Sequence, residues 1–550
     1  MTTEDRTTHR ADAGWHAMMA QFTGGLSPAA LITAYVDWYI HLLASPDKQS
    51  ELMKLGVSDI ADIDPAEDPR FADPSWAGFP YNVMAQGFLG AQNWWDAATC
   101  GLRGVDPKHA NIVHFAARQW LDMFSPANFA LTNPQVQDRT RKEAGQNLIR
   151  GARYWIEDFN RLLSKHPRRP SSYVVGEDLA TTPGDVVMRN RLVELIRYRR
   201  TTEKVHPEPI LIVPAWIMKY YILDLTSERS LVAYLRDQGF EVFILSWKNP
   251  DEDDADLSMQ DYVDLGIRAA IAKIRSMGAK KLHAVGYCLG GTLLTIAASA
   301  LARDGDKALA TMSLLASQVD FSEPGELGLF INESQVAFLE DMMQTKGYLK
   351  ADQMAGAFQL LRSNDLIWSR VIRHYLLGEH THDNPLMAWN ADATRMPAKM
   401  HSEYLRHLFL ENDLAKGRFE VDGASVALTD IRCPVYSVGT ETDHVSPWQS
   451  VYRFGLLADT DVTFCLTNGG HNGGILSEPG HEGRHFRTSH KTEAHSHVTA
   501  QTWFDRTRPK DGSWWPHWAK WLAAHSARPV NCRPISAKPL DAAPGRYVFG

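Results

Sequence analysis

Six residues near the middle of the chain, Gly286-Tyr287-Cys288-Leu289-Gly290-Gly291, follow one apolar run and open another. Their spacing is that of the nucleophile elbow, G-x-S-x-G, with cysteine in place of serine. A turn this tight from strand to helix leaves no room for side chains beside the nucleophile, hence the flanking glycines. The amide after the nucleophile, here that of Leu289, then points toward a developing oxyanion, and a helix N-terminus favours a thiolate over a thiol. A structural cysteine buried at a Gly-rich turn has the same local pattern, so the decision falls to residues further along. An elbow of this kind needs an acid after a later strand and a histidine near the next one, in that order. Asp443 follows PVYSVGT, in the run TETDHVSPW, and His471 follows VTFCLTN, in NGGHNGG. Both stand where the carboxyl ends of strands open onto a ligand crevice. A second oxyanion donor is expected from the loop after an earlier strand. Here that loop is Pro214-Ala215-Trp216, at the end of PILIV, with the amides of Ala215 and Trp216 as candidates; the alternative is a strand end whose Trp merely packs.

The elements that would position these groups can be read from periodicity. PILIVPAW, EVFILSW, LHAVGYC, TMSLLAS, PVYSVGT and VTFCLTN are short apolar runs separated by helical patterns, which predicts a mostly parallel sheet with helices on both faces. Ahead of them, VVMRN and VELIRYR alternate like half-buried antiparallel strands. One gap, about 318–430, is far longer than the others and carries helical patterning, as in ESQVAFLEDMMQ and ADQMAGAFQLLRS; such an insertion is expected to be a lid. Residues 1–170 read as a separate helical domain, with AALITAYVDWYIHLLA and HANIVHFAARQWLDMF at helical spacing. The Pro- and Asp-rich run between them, DPAEDPRFADPSWAGFP, is expected to be an ordered loop. The domains are therefore 1–170 and 171–550. The aromatics of the first domain (Trp76, Phe79, Trp94, Trp95, Trp120, Phe124) are expected mainly in its core; the alternative is a surface that meets a partner subunit or a hydrophobic polymer.

Composition narrows the function classes. The chain has 550 residues, 44% of them hydrophobic, and a formal charge of −8 from 57 Lys+Arg and 65 Asp+Glu. That excludes wholesale disorder and gives no footprint for nucleic acid. The five cysteines (Cys100, Cys288, Cys433, Cys465, Cys532) form neither a disulfide framework nor a C-x-x-C, which fits a reducing, cytoplasmic setting. The polar N-terminus lacks a secretory core. The window Leu282–Ala302 approaches membrane-spanning length, but His283, Tyr287, Cys288 and a Gly pair make it a buried strand turning into a helix, so no membrane span is expected. His481, His485, His490, His495 and His497 lack a compact ligand grouping and read as a solvated loop; no metal site is expected.

With these residues in view, the chain resembles the polyhydroxyalkanoate synthases, which polymerise (R)-3-hydroxyacyl-CoA into storage polyester. GYCLGGT resembles that family's cysteine-containing lipase-like box. VPAWIMKYYILDL, SWKNPD, WNADATRMPAKMHSEYLR, TDHVSPW, GGHNGGI, GSWWPHW and APGRYV resemble family segments in the expected order, as do DPRFADPSW and FSPANFALTNP. The resemblance covers nearly the whole chain. It implies an α/β-hydrolase fold with a helical lid and a helical N-terminal domain, and makes Cys288 the acyl-carrying nucleophile, His471 the general base and Asp443 its acidic partner. A thiolate exchanging with a CoA thioester trades like for like, so the acyl group stays activated for the next transfer. Asp443 either orients His471 or helps deprotonate the substrate 3-hydroxyl. His444 resembles a recurrent family histidine, with packing as the alternative. Arg395, in TRMP, resembles a position near the substrate entrance where a cation meets CoA phosphates, with a structural salt bridge as the alternative.

The resemblance further implies a homodimer, the surface of cytoplasmic polyester granules, and no cofactor, CoA being part of the substrate and the leaving group. The wording leans toward short-chain, class I-like members. Two other readings stand beside it. A cysteine-dependent hydrolase, such as a dienelactone hydrolase or an intracellular depolymerase, shares the elbow. A granule scaffold without catalysis would have no need of Cys288, Asp443 and His471.

Overall fold

The computed structural model describes residues 15–16, 19, 26–58, 63–163, 172–351, 353, 367–380, 383–492, 496, 498–532 and 538–550. The chain divides into two compact units, one of residues 1–17, 171–352 and 384–550, the other of residues 18–170 and 353–383.

The first unit is built on an eleven-stranded sheet. In chain order its strands are β1 (Gly184–Arg189), β2 (Val193–Tyr198), β3 (Ile210–Val213), β4 (Val242–Trp247), β5 (Leu282–Tyr287), β6 (Leu309–Leu315), β7 (Val435–Thr440), β8 (Val462–Thr467), β9 (His485–Lys491), β10 (Lys510–Asp511) and β11 (Asp541–Ala542). Their spatial order is β10-β9-β8-β7-β6-β5-β3-β4-β2-β1-β11. The six from β8 to β4 are parallel. They are the six apolar runs of the sequence, and their near-complete burial is what a sheet covered on both faces requires. β2 pairs antiparallel with β4 and β1 with β2, as expected, but β2, expected to be half-buried, is buried along its whole length because it lies inside the sheet; β11 pairs with β1. On the far edge β9 and β10 are also antiparallel.

From β3 the chain steps to β4 on one side and later returns to β5 on the other. The loops leaving β3 and β5 therefore meet at a topological switch point, where open α/β sheets bind ligands. The apolar window from Leu282 is β5 followed by a helix, Leu289–Arg303, whose residues from Gly290 to Ala300 are all buried. Among the described residues no helix is long and apolar enough to cross a membrane.

Among the described residues, the N-terminal part of the second unit carries the α-helices α1 (Pro28–Leu43), α2 (Pro46–Ser58), α3 (Tyr81–Thr99), α4 (Pro107–Met123), α5 (Pro134–Lys142) and α6 (Gln146–Leu163). Proline opens several of them, where its missing N–H costs nothing, and Asp106 caps α4 by accepting the Lys108 N–H at 2.8 Å. The run DPAEDPRFADPSWAGFP is ordered: Arg70 donates to Asp68, to Gln92 of α3 and to Asp122 of α4, and Phe71 and Trp76 are buried. The aromatics divide. Trp76 is core, Trp94 and Trp95 pack partly buried against core, and Phe79, Trp120 and Phe124 are exposed.

The long insertion also divides. Glu333–Gln344 is helical as expected and belongs to the sheet-containing unit, whereas 353–383 belongs to the helical unit. Most of ADQMAGAFQLLRS lies outside the described residues. The described part of this excursion rests on α6. A Cβ on Gly151 would lie 1.8 Å from the Tyr375 carbonyl oxygen, so the two backbones touch, and Asn147 Nδ2 donates to Leu376 O at 2.8 Å.

Candidate active site

β5 ends at Tyr287 and the following helix, here α7 (Leu289–Arg303), begins one residue after Cys288. Cys288 makes the turn alone, at φ 53° and ψ −129°. For a residue with a Cβ this conformation costs about 1–3 kcal/mol and persists only where neighbours over-determine it. They do so here. The Cys288 N–H donates to Leu315 O at 2.9 Å, and Ser317 Oγ donates to Cys288 O at 2.7 Å. The glycines are obligatory: a Cβ on Gly286 would fall 2.2 Å from Gly291 Cα, and one on Gly290 would fall 2.1 Å from Val213 O and 2.6 Å from Pro214 C. The Gly290 contact brings the loop carrying Ala215 and Trp216 against the turn carrying Leu289. The backbone groups expected to form the oxyanion site thus share one end of the sheet.

β7 and β8 are adjacent and parallel, with Thr440 opposite Thr467, so the loops that follow them emerge side by side. Asp443 lies in the first and His471 in the second. His471 Nδ1 and Asp443 Oδ2 are 2.8 Å apart; 11% of the His471 side chain and none of the Asp443 side chain is exposed. Asp443 Oδ2 also accepts from Thr440 Oγ1 at 2.9 Å, while Oδ1 accepts the amides of Val445 and Ser446, each at 2.9 Å. Burial would raise the Asp443 carboxyl, yet the facing imidazole and these hydrogen bonds hold it below the usual carboxylate range. Burial likewise works against a charged His471. The Asp443 carboxylate and the Cys288 sulfur, by charge and by hydrogen bonding, outweigh it and hold the imidazolium well above its usual range. The structure therefore brings Cys288, His471 and Asp443 together in that order.

Such a group of atoms can move an acyl group. In general such a set can supply a sulfur nucleophile, a proton donor for a leaving group and a carboxylate that orients the imidazole. The thiols of half-buried Cys433 and buried Cys465 are different: desolvation pushes both up to about 12, which leaves them as inert neutral groups.

The remaining expected residues are placed as follows. His444 is half-buried in the Asp443 turn, and its carbonyl accepts the Glu326 N–H at 3.1 Å. Arg395 is half-buried; its N–H donates to Asn249 Oδ1 at 2.8 Å and its guanidinium lies 5.0 Å from the Tyr348 ring. His481, His485 and His490 face separate partners, Glu478, Glu441 and Thr463; His495 and His497 lie outside the described residues. Three contributors escaped the sequence reading. Thr440, at the end of β7, fixes Asp443. Tyr287 donates to Asn472 Oδ1 and sets its ring 5.8 Å from that of His471. Tyr404 is buried, and burial together with the Cys288 charge pushes its hydroxyl well up, which marks it as a neighbour of the sulfur. Thr440 had a signal in its place three residues before Asp443. Tyr404 had none, because it reaches the site from the long insertion.

Comparison with known proteins gives a consistent match along the chain. Residues 6–48 match the family described as "Poly-beta-hydroxybutyrate polymerase N terminal", and residues 67–235 that described as "Poly-beta-hydroxybutyrate polymerase (PhaC) N-terminus". Residues 208–472, which contain Cys288, Asp443 and His471, match the "alpha/beta hydrolase fold". A poly(3-hydroxyalkanoate) polymerase of Methylorubrum extorquens is 38% identical over 493 residues, 88% of this chain and 81% of that one. The polymerase subunit of Rhizobium etli is 36% identical over 493 residues, 88% and 77% of the two chains. That of Cupriavidus necator is 35% identical over 497 residues, 88% and 83%.

Proposed function

Because the chain belongs to the poly(3-hydroxyalkanoate) polymerase family, we propose that it polymerises (R)-3-hydroxyacyl-CoA through an acyl group carried on Cys288. The observation that carries this reading is the buried His471–Asp443 pair, 2.8 Å apart, beside an elbow whose Cys288 sulfur acts on the His471 imidazole by charge.

The Cys288 thiolate attacks the thioester carbonyl. The oxyanion is received by the Leu289 amide and by that of Ala215 or Trp216. As the tetrahedral adduct collapses, the CoA sulfur leaves with the proton of His471, giving CoA-SH, acyl-Cys288 and a neutral imidazole. Acylation removes the sulfur charge, which is one of the causes that keep His471 protonated. The imidazole becomes a base at the moment one is needed. It accepts the proton of an incoming 3-hydroxyl, whose oxygen attacks the acyl-Cys288 carbonyl. Cys288 leaves as thiolate beside a recharged imidazolium, and the ester bond has formed. Asp443 orients His471 throughout. All four of its hydrogen bonds are committed to groups of its own chain, which supports that role over direct attack on the substrate hydroxyl.

No cofactor enters this scheme, since CoA arrives with the substrate and leaves. Arg395 is assigned to the CoA phosphates; its guanidinium meets the Asn249 amide oxygen and the Tyr348 ring face, and it acts by charge on the Asp251 carboxylate. His444 is assigned to the substrate side of the Asp443 turn. The family relationship also supports a homodimer working at cytoplasmic polyester granules. Ile32, Tyr35, Val36, Tyr39 and Ile40, exposed along α1, supply apolar surface for either contact.

The test is incubation with (R)-3-hydroxybutyryl-CoA and longer homologues, following CoA release and product together. Polymer with stoichiometric CoA, abolished in Cys288→Ala, is the expected result, with the shorter substrates preferred. Free hydroxy acid without polymer would overturn the reading in favour of a hydrolase.

A further inference from the structure

Among the described residues of the sheet-containing unit, six buried indoles donate to a named acceptor and that of Trp216 does not. Trp247 donates to Pro214 O, Trp389 to Lys219 O, Trp503 to Ser489 Oγ, Trp514 to Gly474 O, Trp515 to Ile475 O and Trp518 to Ser313 Oγ, all between 2.6 and 3.1 Å. Trp216 is 1% exposed, and its Nε1 has no hydrogen-bond partner. Several backbone acceptors of the segment around it are already taken. Pro214 O and Lys219 O take the two indoles just named, and Trp216 O accepts from Thr394 Oγ1 at 2.6 Å. A loop held this firmly cannot turn to find Nε1 an acceptor. A buried donor left in this state is costly unless something outside the chain completes it.

The place of the exception is informative. Trp216 lies in the loop against which Gly290 packs, one turn of chain from Cys288. Its ring meets that of Tyr404 edge-on at 5.8 Å, and Tyr404 is the neighbour of the sulfur identified above. His401, 6.0 Å from Tyr404 between ring centroids, also has a buried Nδ1 without a partner among the described residues. Both unsatisfied nitrogens thus belong to rings that meet Tyr404.

We infer that the Trp216 indole N–H is a substrate contact: it donates a hydrogen bond to a carbonyl oxygen of the acyl chain brought to Cys288. The ligand class follows from the chemistry, since an indole only donates and an ester or thioester carbonyl only accepts. This rests on the acyl-transfer reading of Cys288. It goes beyond it by giving the side chain of Trp216 a task separate from that of its backbone amide.

The test compares wild type with Trp216→Phe and with a protein carrying benzothienylalanine at position 216, which keeps the bicyclic shape and lacks only the N–H. Substrates are (R)-3-hydroxybutyryl-CoA and its three-unit linear ester on CoA. The contact exists before and during transfer, so KM should rise about three- to tenfold at nearly unchanged kcat. The rate of Cys288 alkylation by iodoacetamide, which needs no carbonyl contact, should stay at the wild-type value in the benzothienyl protein. A penalty with both substrates assigns the acceptor to the first acyl unit or its thioester; a penalty with the longer one alone assigns it to an ester of the chain. Wild-type KM for both substrates in the benzothienyl protein would overturn the inference. Failure of the wild-type enzyme to form acyl-Cys288 would instead overturn the acyl-transfer reading itself.

Discussion

Replacing Asp443 by Asn is the sharpest perturbation of the site, because it keeps the shape and removes the charge. The carboxylate accepts four hydrogen bonds: the amides of Val445 and Ser446 on one oxygen, Thr440 Oγ1 and His471 Nδ1 on the other. An Asn side chain has one accepting end. Leaving two buried amides unpaired would cost about 1–3 kcal/mol each, so the Asn oxygen stays with Val445 and Ser446 and its NH2 group faces His471. Thr440 can turn its hydroxyl and accept. His471 can comply only by accepting at Nδ1, which moves the ring proton to the nitrogen on the Cys288 side. That tautomer cannot take a proton from the thiol. The largest favourable influence on the imidazolium is also gone, where an adjacent opposite charge typically shifts a pKa by about 1–3 units. Together these predict a loss of about 10²- to 10⁴-fold in acyl transfer, the range that a wrong tautomer produces in triad enzymes.

The assay separates the two roles considered for Asp443. Acylation of Cys288 is followed by rapid quench and intact mass under single-turnover conditions, and elongation by steady-state CoA release. An orienting Asp443 serves both steps, so both should fall by a similar factor in a protein that still folds cooperatively. Acylation within about threefold of wild type, less than the net worth of a single hydrogen bond to a charged group, with elongation alone collapsing, would refute the orienting role.

Four further outcomes follow from the same geometry. The raised His471 value predicts that acyl transfer holds through neutral pH and declines only well above 6.5, and that in Asp443→Asn this alkaline limb of kcat/KM moves to lower pH. In stability, the raised histidine contributes fully below its ordinary 6.5 and is lost as pH rises through its folded value, whereas the lowered carboxyl contributes above 3.8 and is lost as pH falls through its folded value. Thermal denaturation should therefore show the widest gap between wild type and Asp443→Asn across 3.8–6.5, narrowing on both sides. Gly290→Ala should abolish activity or folding, because its methyl group has backbone 2.1 Å away on another strand end; a soluble variant with more than about a tenth of wild-type activity, a barrier rise under about 1.4 kcal/mol, would contradict the packing of the elbow. Arg395→Ala should raise KM for CoA thioesters about tenfold, the worth of one charge-assisted hydrogen bond, and leave KM for a thioester without the nucleotide unchanged; equal effects on both would make Arg395 structural.

The parts of this protein legible in its sequence are those governed by local rules. Period and apolarity marked all six parallel strands, since a strand buried on both faces has no polar positions to confuse the pattern. The elbow could be read because a turn from strand to helix around one residue admits glycine and little else. Asp443 and His471 were found because each follows a strand directly, so that topology alone carries them to the same edge. The remainder depended on contacts between distant segments. Whether Phe79, Trp120 and Phe124 face solvent or core depends on which neighbours cover them, and composition does not say. The long insertion looked uniform in sequence, yet its middle joins the helical unit, where the bare backbone at Gly151 lets Tyr375 approach. Tyr404 lies more than a hundred residues from Cys288, and no spacing rule connects them. The unpaired donor of Trp216 is visible only when the groups packed around it are known. Hydrogen-bond satisfaction is a property of the folded surroundings, and only the tertiary structure decides it.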